Sequence, residues 1–287
     1  MISENGTYMI AEVGINHNGD LDKALEMIRQ AKQAGCDAVK FQKRTVEIVY
    51  TAEELARARE NVFGPTNGDL KRGLEFGRAE YDAIDRTARD LQIDWFASPW
   101  DEPSVDFLMA YETPYIKIAS AMVTDRQFLE YCAAAGRPLL VSTGMSDLGM
   151  IRRSVDIIEK AGGQIACLYH CTSTYPTLDE EINLLGIKTL QKAFPHLEIG
   201  FSGHEQGILP SICAATLGAC SVERHVTLDR SEWGSDQKAS LEMAEMAELV
   251  GKVRRFEVVR GDGVLRFYED EKPIAEKLRR NDTLSAA

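Results

Sequence analysis

Eight times along this chain a short β-rich run is followed by a longer helical pattern, and that alternation constrains the fold more than any other feature. The runs fall at 8–15, 38–42, 94–98, 115–119, 138–142, 165–170, 197–201 and 221–226. They are largely continuous apolar stretches, which suits a parallel sheet covered by helices on its outer face. Helical patterns follow at 22–34, 79–91, 101–110, 125–135, 147–161, 180–193, 207–217 and 241–259. Asp20, Asp101, Asp125 and Asp147 read as helix N-caps. Eight βα units close a barrel, and 287 residues exceed the about 250 that such a barrel needs. The predicted fold class is therefore α/β, a (β/α)8 TIM barrel. An open doubly wound sheet is the competing architecture. It usually has fewer strands and a Gly-rich first turn, and AEVGINHNGD lacks the G-x-G-x-x-G spacing.

The barrel is expected to span residues 1–262, with an insertion at about 45–77 after the second run. A helix is expected there at 52–61, before the loop FGPTNGD. Residues 263–287 read as a charged tail with no second domain. A formal charge of -12 repels nucleic acid and anionic membrane, and no basic patch interleaves with aromatics. It does not exclude an anionic substrate held by local lysines. No stretch approaches the roughly 20 apolar residues of a spanning helix. The N-terminal stretch has no basic region followed by a long apolar run, so no signal peptide is expected. Six cysteines lie mostly inside apolar runs and read as reduced, buried residues of a cytoplasmic protein; only Cys171 has polar neighbours.

Barrel active sites form at the C-terminal ends of the strands. Here those ends carry Glu12, Asn16 and His17; Lys40 and Gln42; Ser98; Lys117 and Ser120; Ser142 and Thr143; His170, Thr172, Ser173 and Tyr175; Ser202 and His204; Glu223 and His225. Lys40 and Lys117 sit in apolar surroundings, so each ammonium either reaches water along its stem or points into the barrel mouth to meet an anion. With Ser98, Ser120, Ser142 and Ser202 they form a candidate phosphate and carboxylate cradle. A Schiff-base lysine is the competing reading. His204 and His225 end adjacent strands and read as two ligands of a divalent ion, or as hydrogen-bonded core histidines. Water and substrate oxygens completing the shell would suit Mn2+ or Mg2+ better than structural zinc. A buried Glu12 carboxylate must meet a lysine, a substrate hydroxyl or the metal shell. Asp236 either reaches over the mouth or is a solvated loop residue.

These segments together resemble the sialic acid synthase family, also called N-acetylneuraminate synthases. The matching stretches are AEVGINHNGD, AVKFQ, FASP, YIKIAS, LLVSTGM, YHCTSTYPT, GFSGHEQG and ERHVTLDRSEWGSDQKASLE, in family order. The resemblance implies condensation of phosphoenolpyruvate with a sugar aldehyde, N-acetylmannosamine-like or another aldose or aldose phosphate, to a 2-keto-3-deoxy sugar acid and phosphate. It implies His204 and His225 as metal ligands, with the ion polarising the aldehyde oxygen. Lys40, Ser98, Lys117, Ser120, Ser142, Ser173 and Ser202 would bind phosphoenolpyruvate, and Glu12, Tyr175 and Asp236 would face the sugar. Glu12 is also a candidate proton-transfer group. The family has Asn or Ser at the position of Ser173. Two departures stand out. The family's seventh-strand S-D-H is Ser202-Gly203-His204 here. Bacterial members also carry a C-terminal antifreeze-like domain that reaches over the partner's mouth in a dimer. This chain is expected to be a homodimer without that domain, which leaves room for a separate lid partner. A pyruvate-specific lysine aldolase and a non-catalytic sugar-binding barrel are the alternatives.

Overall fold

The computed structural model describes Ile2 and residues 6–280. Eight strands carry the barrel: β1 (Tyr8–Gly14), β2 (Ala38–Lys43), β3 (Asp94–Pro99), β4 (Ile116–Ile118), β5 (Leu139–Ser142), β6 (Ile165–Cys171), β7 (Ile199–Gly203) and β8 (Ser221–Thr227). All the ladders among them are parallel, in the order β3-β2-β1-β8-β7-β6-β5-β4, and β3 lies against β4 to bring the ends of the sheet together. Eight helices follow the strands in turn: α1 (Leu21–Gln33), α2 (Arg78–Leu91), α3 (Glu102–Met109), α4 (Arg126–Ala134), α5 (Leu148–Lys160), α6 (Gly186–Ala193), α7 (Leu209–Thr216) and α8 (Met243–Arg260). The side chains of Asp20, Asp101, Asp125 and Asp147 each accept a backbone N–H in the first turn of the helix they precede.

The strands read as continuous apolar runs because both of their faces are apolar at the bottom of the barrel. Outward residues such as Met9, Val39, Trp95 and Val222 pack under the helices on one side, and Ile118, Val141, Leu168 and Phe201 on the other. Inward residues Ile10, Ala38, Phe96, Leu140 and Tyr169 form a third cluster inside the barrel. Each large aliphatic or phenylalanine side chain among them contributes roughly 1.5–3 kcal/mol when taken from water. Two residues further along each strand, on the same inward face, the character changes: Glu12, Lys40, Ser98, Ser142 and Cys171. An apolar plug thus fills the lower barrel and a polar layer rests on it.

The insertion departs from the expected helix at 52–61. The helix Ala52–Ala56 ends early, and Ala58–Asn61 pairs antiparallel with Gly64–Thr66. Asn61 explains the change: its amide donates to the Thr66 carbonyl and its oxygen accepts from Phe63 N, which closes a turn that a helix cannot contain. The single helical pattern at 180–193 is likewise divided into Asp179–Ile182 and α6, because Asn183 adopts a left-handed φ of 47°. A short strand, Leu241–Glu242, precedes α8 and pairs with β8. After α8 the described part of the tail is a 3-10 turn (Glu269–Glu271) and the helix Lys272–Leu278, both without buried residues. Residues 281–287 lie outside the described residues.

Candidate active site

The polar layer lines a cavity of about 280 Å³ at the C-terminal ends of the strands. Eleven of the twelve side chains to which the resemblance gives a role line it: Glu12, Lys40, Ser98, Lys117, Ser120, Ser142, Ser173, Tyr175, Ser202, His204 and His225. The twelfth, Asp236, stands at the rim with Oδ2 3.7 Å from His225 Nδ1. A bulge between Glu12 and Gly14 ends β1, with Gly14 at φ 54°. A Cβ at position 14 would sit 3.1 Å from Glu12 Oε1 and 3.3 Å from Gln42 Nε2, so glycine lets these groups close over the strand end.

Two ammoniums and two carboxylates form the floor. Lys117 Nζ lies 2.6 Å from Glu223 Oε2 and 4.5 Å from the centroid of the Tyr169 ring. Lys40 Nζ lies 3.0 Å from Glu12 Oε2, 3.5 Å from Glu223 Oε1 and 3.2 Å from Ser98 Oγ. Ser202 Oγ donates to Glu223 Oε1 at 3.1 Å, and Gln42 Nε2 to Glu12 Oε1 at 3.1 Å. All four charged side chains are buried. Burial, helped by the Glu223 charge, pushes Glu12 up to about 7 against the pull of Lys40. Burial alone would raise Glu223 as well, but Lys117 and Lys40 outweigh it and hold this carboxyl at about 2. Burial also draws Lys117 below its ordinary value, whereas for Lys40 the attraction of Glu12 and Glu223 overcomes burial and raises it. At neutral pH the layer therefore holds one carboxyl poised to carry a proton and one that stays ionised.

The imidazoles stand on the other side of the cavity, with ring centroids 5.3 Å apart and Tyr175 4.1 Å from the His204 ring. His204 Nδ1–H donates to the Thr172 carbonyl at 2.7 Å, which leaves Nε2 free of that bond. Burial pushes His225 down to about 3, so this ring is neutral, and its buried Nδ1 has no hydrogen-bond partner. Cys171 Sγ approaches His204 Nδ1 at 3.9 Å. Burial would raise this thiol, but His204 outweighs it and keeps it below the ordinary value.

A sequence profile of the NeuB family matches residues 27–265. The chain belongs to the NeuB family. Over 273 residues it is 40% identical to the human N-acetylneuraminate-9-phosphate synthase, covering 94% of this chain and 76% of that protein. It is 36% identical over 284 residues to the N,N'-diacetyllegionaminic acid synthase of Legionella pneumophila, covering 96% of this chain and 80% of that protein. Among solved structures it superposes on the N-acetylneuraminic acid synthetase of Leptospira borgpetersenii with a TM-score of 0.83 at 31% identity, covering 96% of this chain and 94% of that one. A truncated 3-deoxy-D-arabino-heptulosonate 7-phosphate synthase from Thermotoga maritima shares the barrel at a TM-score of 0.68 and 16% identity.

Within this NeuB-family barrel, some strand-end residues serve the fold instead of the cavity. His17 stacks on Phe76 at 4.0 Å and accepts from Gly19 N, and burial holds it at about 3. His170 is bonded to the Ile182 carbonyl, and Asn16 donates to Val226 O and Ser240 Oγ. Conversely, Glu223 bridges both lysines, a role that its place at a strand end does not by itself reveal. Its signal lies in the strand period, because Glu223 and His225 are two apart and share the inward face while Arg224 points out. Gly203 is the middle residue of the stretch read as S-D-H-like. A Cβ there would meet Glu205 Oε2 at 2.4 Å and Phe201 Cε1 at 2.7 Å, so that place is already filled.

Proposed function

We propose that this NeuB-family chain condenses phosphoenolpyruvate with a sugar aldehyde, giving a 2-keto-3-deoxy sugar acid and inorganic phosphate. The observation that carries the reading is the paired-lysine floor. Two buried ammoniums, ringed by Ser98, Ser142 and Ser202, meet a small cavity whose other wall is two imidazoles. With Glu12 and Glu223 ionised, the four charges cancel, and protonation of Glu12 leaves one positive charge for an anionic substrate. Lys40 and Lys117 hold the phosphate and carboxylate of phosphoenolpyruvate, and the serine hydroxyls fix their orientation. Carbon 3 attacks the aldehyde carbon, and Glu12 gives its proton to the new hydroxyl. Water then adds at carbon 2 and returns a proton to Glu12. The hemiketal phosphate collapses with cleavage of the C–O bond to phosphate, its hydroxyl proton leaving with the phosphate. Glu223 stays ionised and keeps both ammoniums in place. Tyr175 and Asp236 face the sugar.

The donor set fits a divalent ion with open positions. His204 is oriented by a carbonyl on one nitrogen, as metal-ligating imidazoles are, and the neutral His225 leaves a buried nitrogen unpartnered. No cluster of three or more His, Cys, Asp or Glu suited to a metal occurs among the described residues, so water and substrate would complete the shell. Imidazole ligands favour Mn2+ over Mg2+. When bound, such an ion supplies Lewis-acid polarisation of the aldehyde. His225→Ala is expected to abolish Mn2+ uptake measured by calorimetry and to lower kcat at least about a hundredfold. Undiminished turnover of wild type in excess chelator would contradict this part of the reading.

A larger hollow of about 780 Å³ lies between the insertion and the Trp233–Ser235 turn, next along the chain from Asp236. We assign it to the far end of the acceptor. Trp233→Ala is expected to raise KM for the acceptor about tenfold, equivalent to ~1.4 kcal/mol, with KM for phosphoenolpyruvate unchanged. Tyr175 and Met145 are exposed at the cavity mouth, and Trp233 is exposed at the larger hollow. Their exposure supports a homodimer or a separate lid partner that covers them, and sedimentation with and without substrates tests that assembly. No helix among the described residues is long and apolar enough to cross a membrane.

The Schiff-base reading draws on the depressed Lys117 ammonium. Borohydride with pyruvate or phosphoenolpyruvate separates the two chemistries. Condensation leaves the protein unmodified and active, whereas a reduced adduct at Lys117 would establish the aldolase.

A further inference from the structure

The two imidazoles are held by different means. His225 lies inside β8 and is register-paired with Glu12 of β1. His204 comes one residue after β7 ends at Gly203, beyond the ladder. The segment just after His204 is anchored from behind the sheet. Arg224, between Glu223 and His225, points outward and is fully buried. Its Nη1 donates to Glu205 Oε1 at 2.8 Å, to Gly207 O at 2.8 Å and to Ser211 Oγ at 2.9 Å, and its Nη2 donates to the Glu205 carbonyl. Ser211 Oγ also donates to Glu205 Oε1 at 3.1 Å. One guanidinium thus grips the side chain and main chain of the residue after His204 from the residue before His225.

We propose that the Glu205–Arg224 pair is a positioning device that fixes His204 relative to His225 during the condensation. His204 is also tied to β6 and the loop after it: its carbonyl accepts from Thr177 N at 3.0 Å, its ring donates to Thr172 O and lies 3.9 Å from Cys171 Sγ, and Tyr175 packs on it at 4.1 Å. The β7–β8 ladder ends at the Gly203–Arg224 pair, and beyond that end the Arg224 clamp continues the link between the segment carrying His204 and the strand that carries its partner. Arg224 is the ladder partner of Gly203, and a Cβ at position 203 would lie 2.4 Å from Glu205 Oε2 and 2.7 Å from Phe201 Cε1, so the Glu205 carboxylate fills a place beside Arg224 that no side chain at 203 could take. Glu205→Gln keeps the shape at 205 and an oxygen that accepts from Arg224, which makes the device testable.

The inference rests on the metal reading only for the role of the imidazoles, and the experiment separates the two. It compares wild type, Glu205→Ala, Glu205→Gln and, as a gauge of plain destabilisation, Ile158→Ala in the outer core. Imidazole NMR of metal-free protein reads the His204 Nδ1 proton, titration with MnCl2 reads ion affinity, and phosphate release reads kcat and KM. Glu205→Ala is expected to lose the His204 resonance, to bind Mn2+ about tenfold to a hundredfold more weakly, and to lose kcat with little change in KM for phosphoenolpyruvate. Glu205→Gln recovers most of all three, while Ile158→Ala moves only the melting temperature. If Glu205→Ala does not fold, Arg224→Lys, which keeps the charge and loses the forked donor, replaces it. A native His204 resonance and Mn2+ affinity in the disrupted variant, or a Glu205→Gln variant no better than it, overturns the proposal. Wild type that takes up no Mn2+ sinks the metal reading instead, and the NMR arm still decides the clamp.

Discussion

Lys117→Met is expected to lower kcat/KM for phosphoenolpyruvate about a thousandfold. The ammonium faces the cavity from β4 and is almost wholly enclosed, so its attraction for a bound anion is little screened. At an effective dielectric of about 20, a unit charge 4 Å from another is worth about 4 kcal/mol, which converts to that factor. The same substitution removes the nearest partner of Glu223, 2.6 Å away, and leaves it Lys40 at 3.5 Å and Ser202, so the stability cost stays below the about 3–5 kcal/mol of a fully unpaired buried charge. The double variant Lys117→Met/Glu223→Gln separates the two effects. It is expected to recover most of the stability lost by the single variant while remaining inactive. Thermal unfolding and steady-state phosphate release measure both. A single variant with native KM for phosphoenolpyruvate would show that the anion binds elsewhere.

The second large effect is a pH dependence carried by Glu12. With a folded-state value of about 7, the carboxyl is protonated below neutrality and loses its proton above it. Turnover is therefore expected to fall as pH rises through about 7. Glu12→Gln, which has no such proton to lose, should lack that limb and run about a hundredfold to ten-thousandfold slower. Bound phosphoenolpyruvate adds negative charge beside Glu12, so the limb in kcat should lie at higher pH than the limb in kcat/KM. Stability follows the same linkage. Because the folded carboxyl holds its proton more tightly than the unfolded one, stability declines as pH rises from about 4.5 to about 7, by roughly 3 kcal/mol in total. Glu223 acts in the opposite sense: its folded value is depressed to about 2, so its contribution is present above about 4.5 and is lost as pH falls toward about 2. Denaturant titrations of wild type and Glu12→Gln across pH 5 to 8 should diverge in slope, and parallel curves would remove Glu12 from the proton-transfer role.

The barrel was legible because the βα alternation is a property of the chain's own pattern, and the N-cap aspartates mark where helices begin. Most of the candidate cavity lining was legible because inward positions near the strand ends break the apolar run with charge, as at Glu12, Lys40 and Lys117. Three things were hidden for physical reasons. The alternation inside each strand was masked by the apolar plug at Ile10, Ala38, Phe96 and Leu140. The hairpin in the insertion depends on Asn61 reaching Thr66, a turn contact that outweighs the helical character of AREN. The Glu223 bridge and the Glu205–Arg224 clamp depend on which residues face each other across three dimensions, and a single sequence does not specify those pairs. Strand-end position alone overstates the site, since His17 and His170 share that position and are occupied by packing and backbone contacts.

The central claim is aldose-dependent cleavage of the C–O bond of phosphoenolpyruvate. It is tested most directly by following phosphate release from phosphoenolpyruvate labelled with 18O in its bridging oxygen. Acceptors would be N-acetylmannosamine, mannose, arabinose, erythrose and their terminal phosphates, with Mn2+ and with a chelator control. The account predicts release with at least one of these aldoses, label in the phosphate, and loss of activity on chelation. Release without any aldose, or label retained in the keto acid, would contradict it.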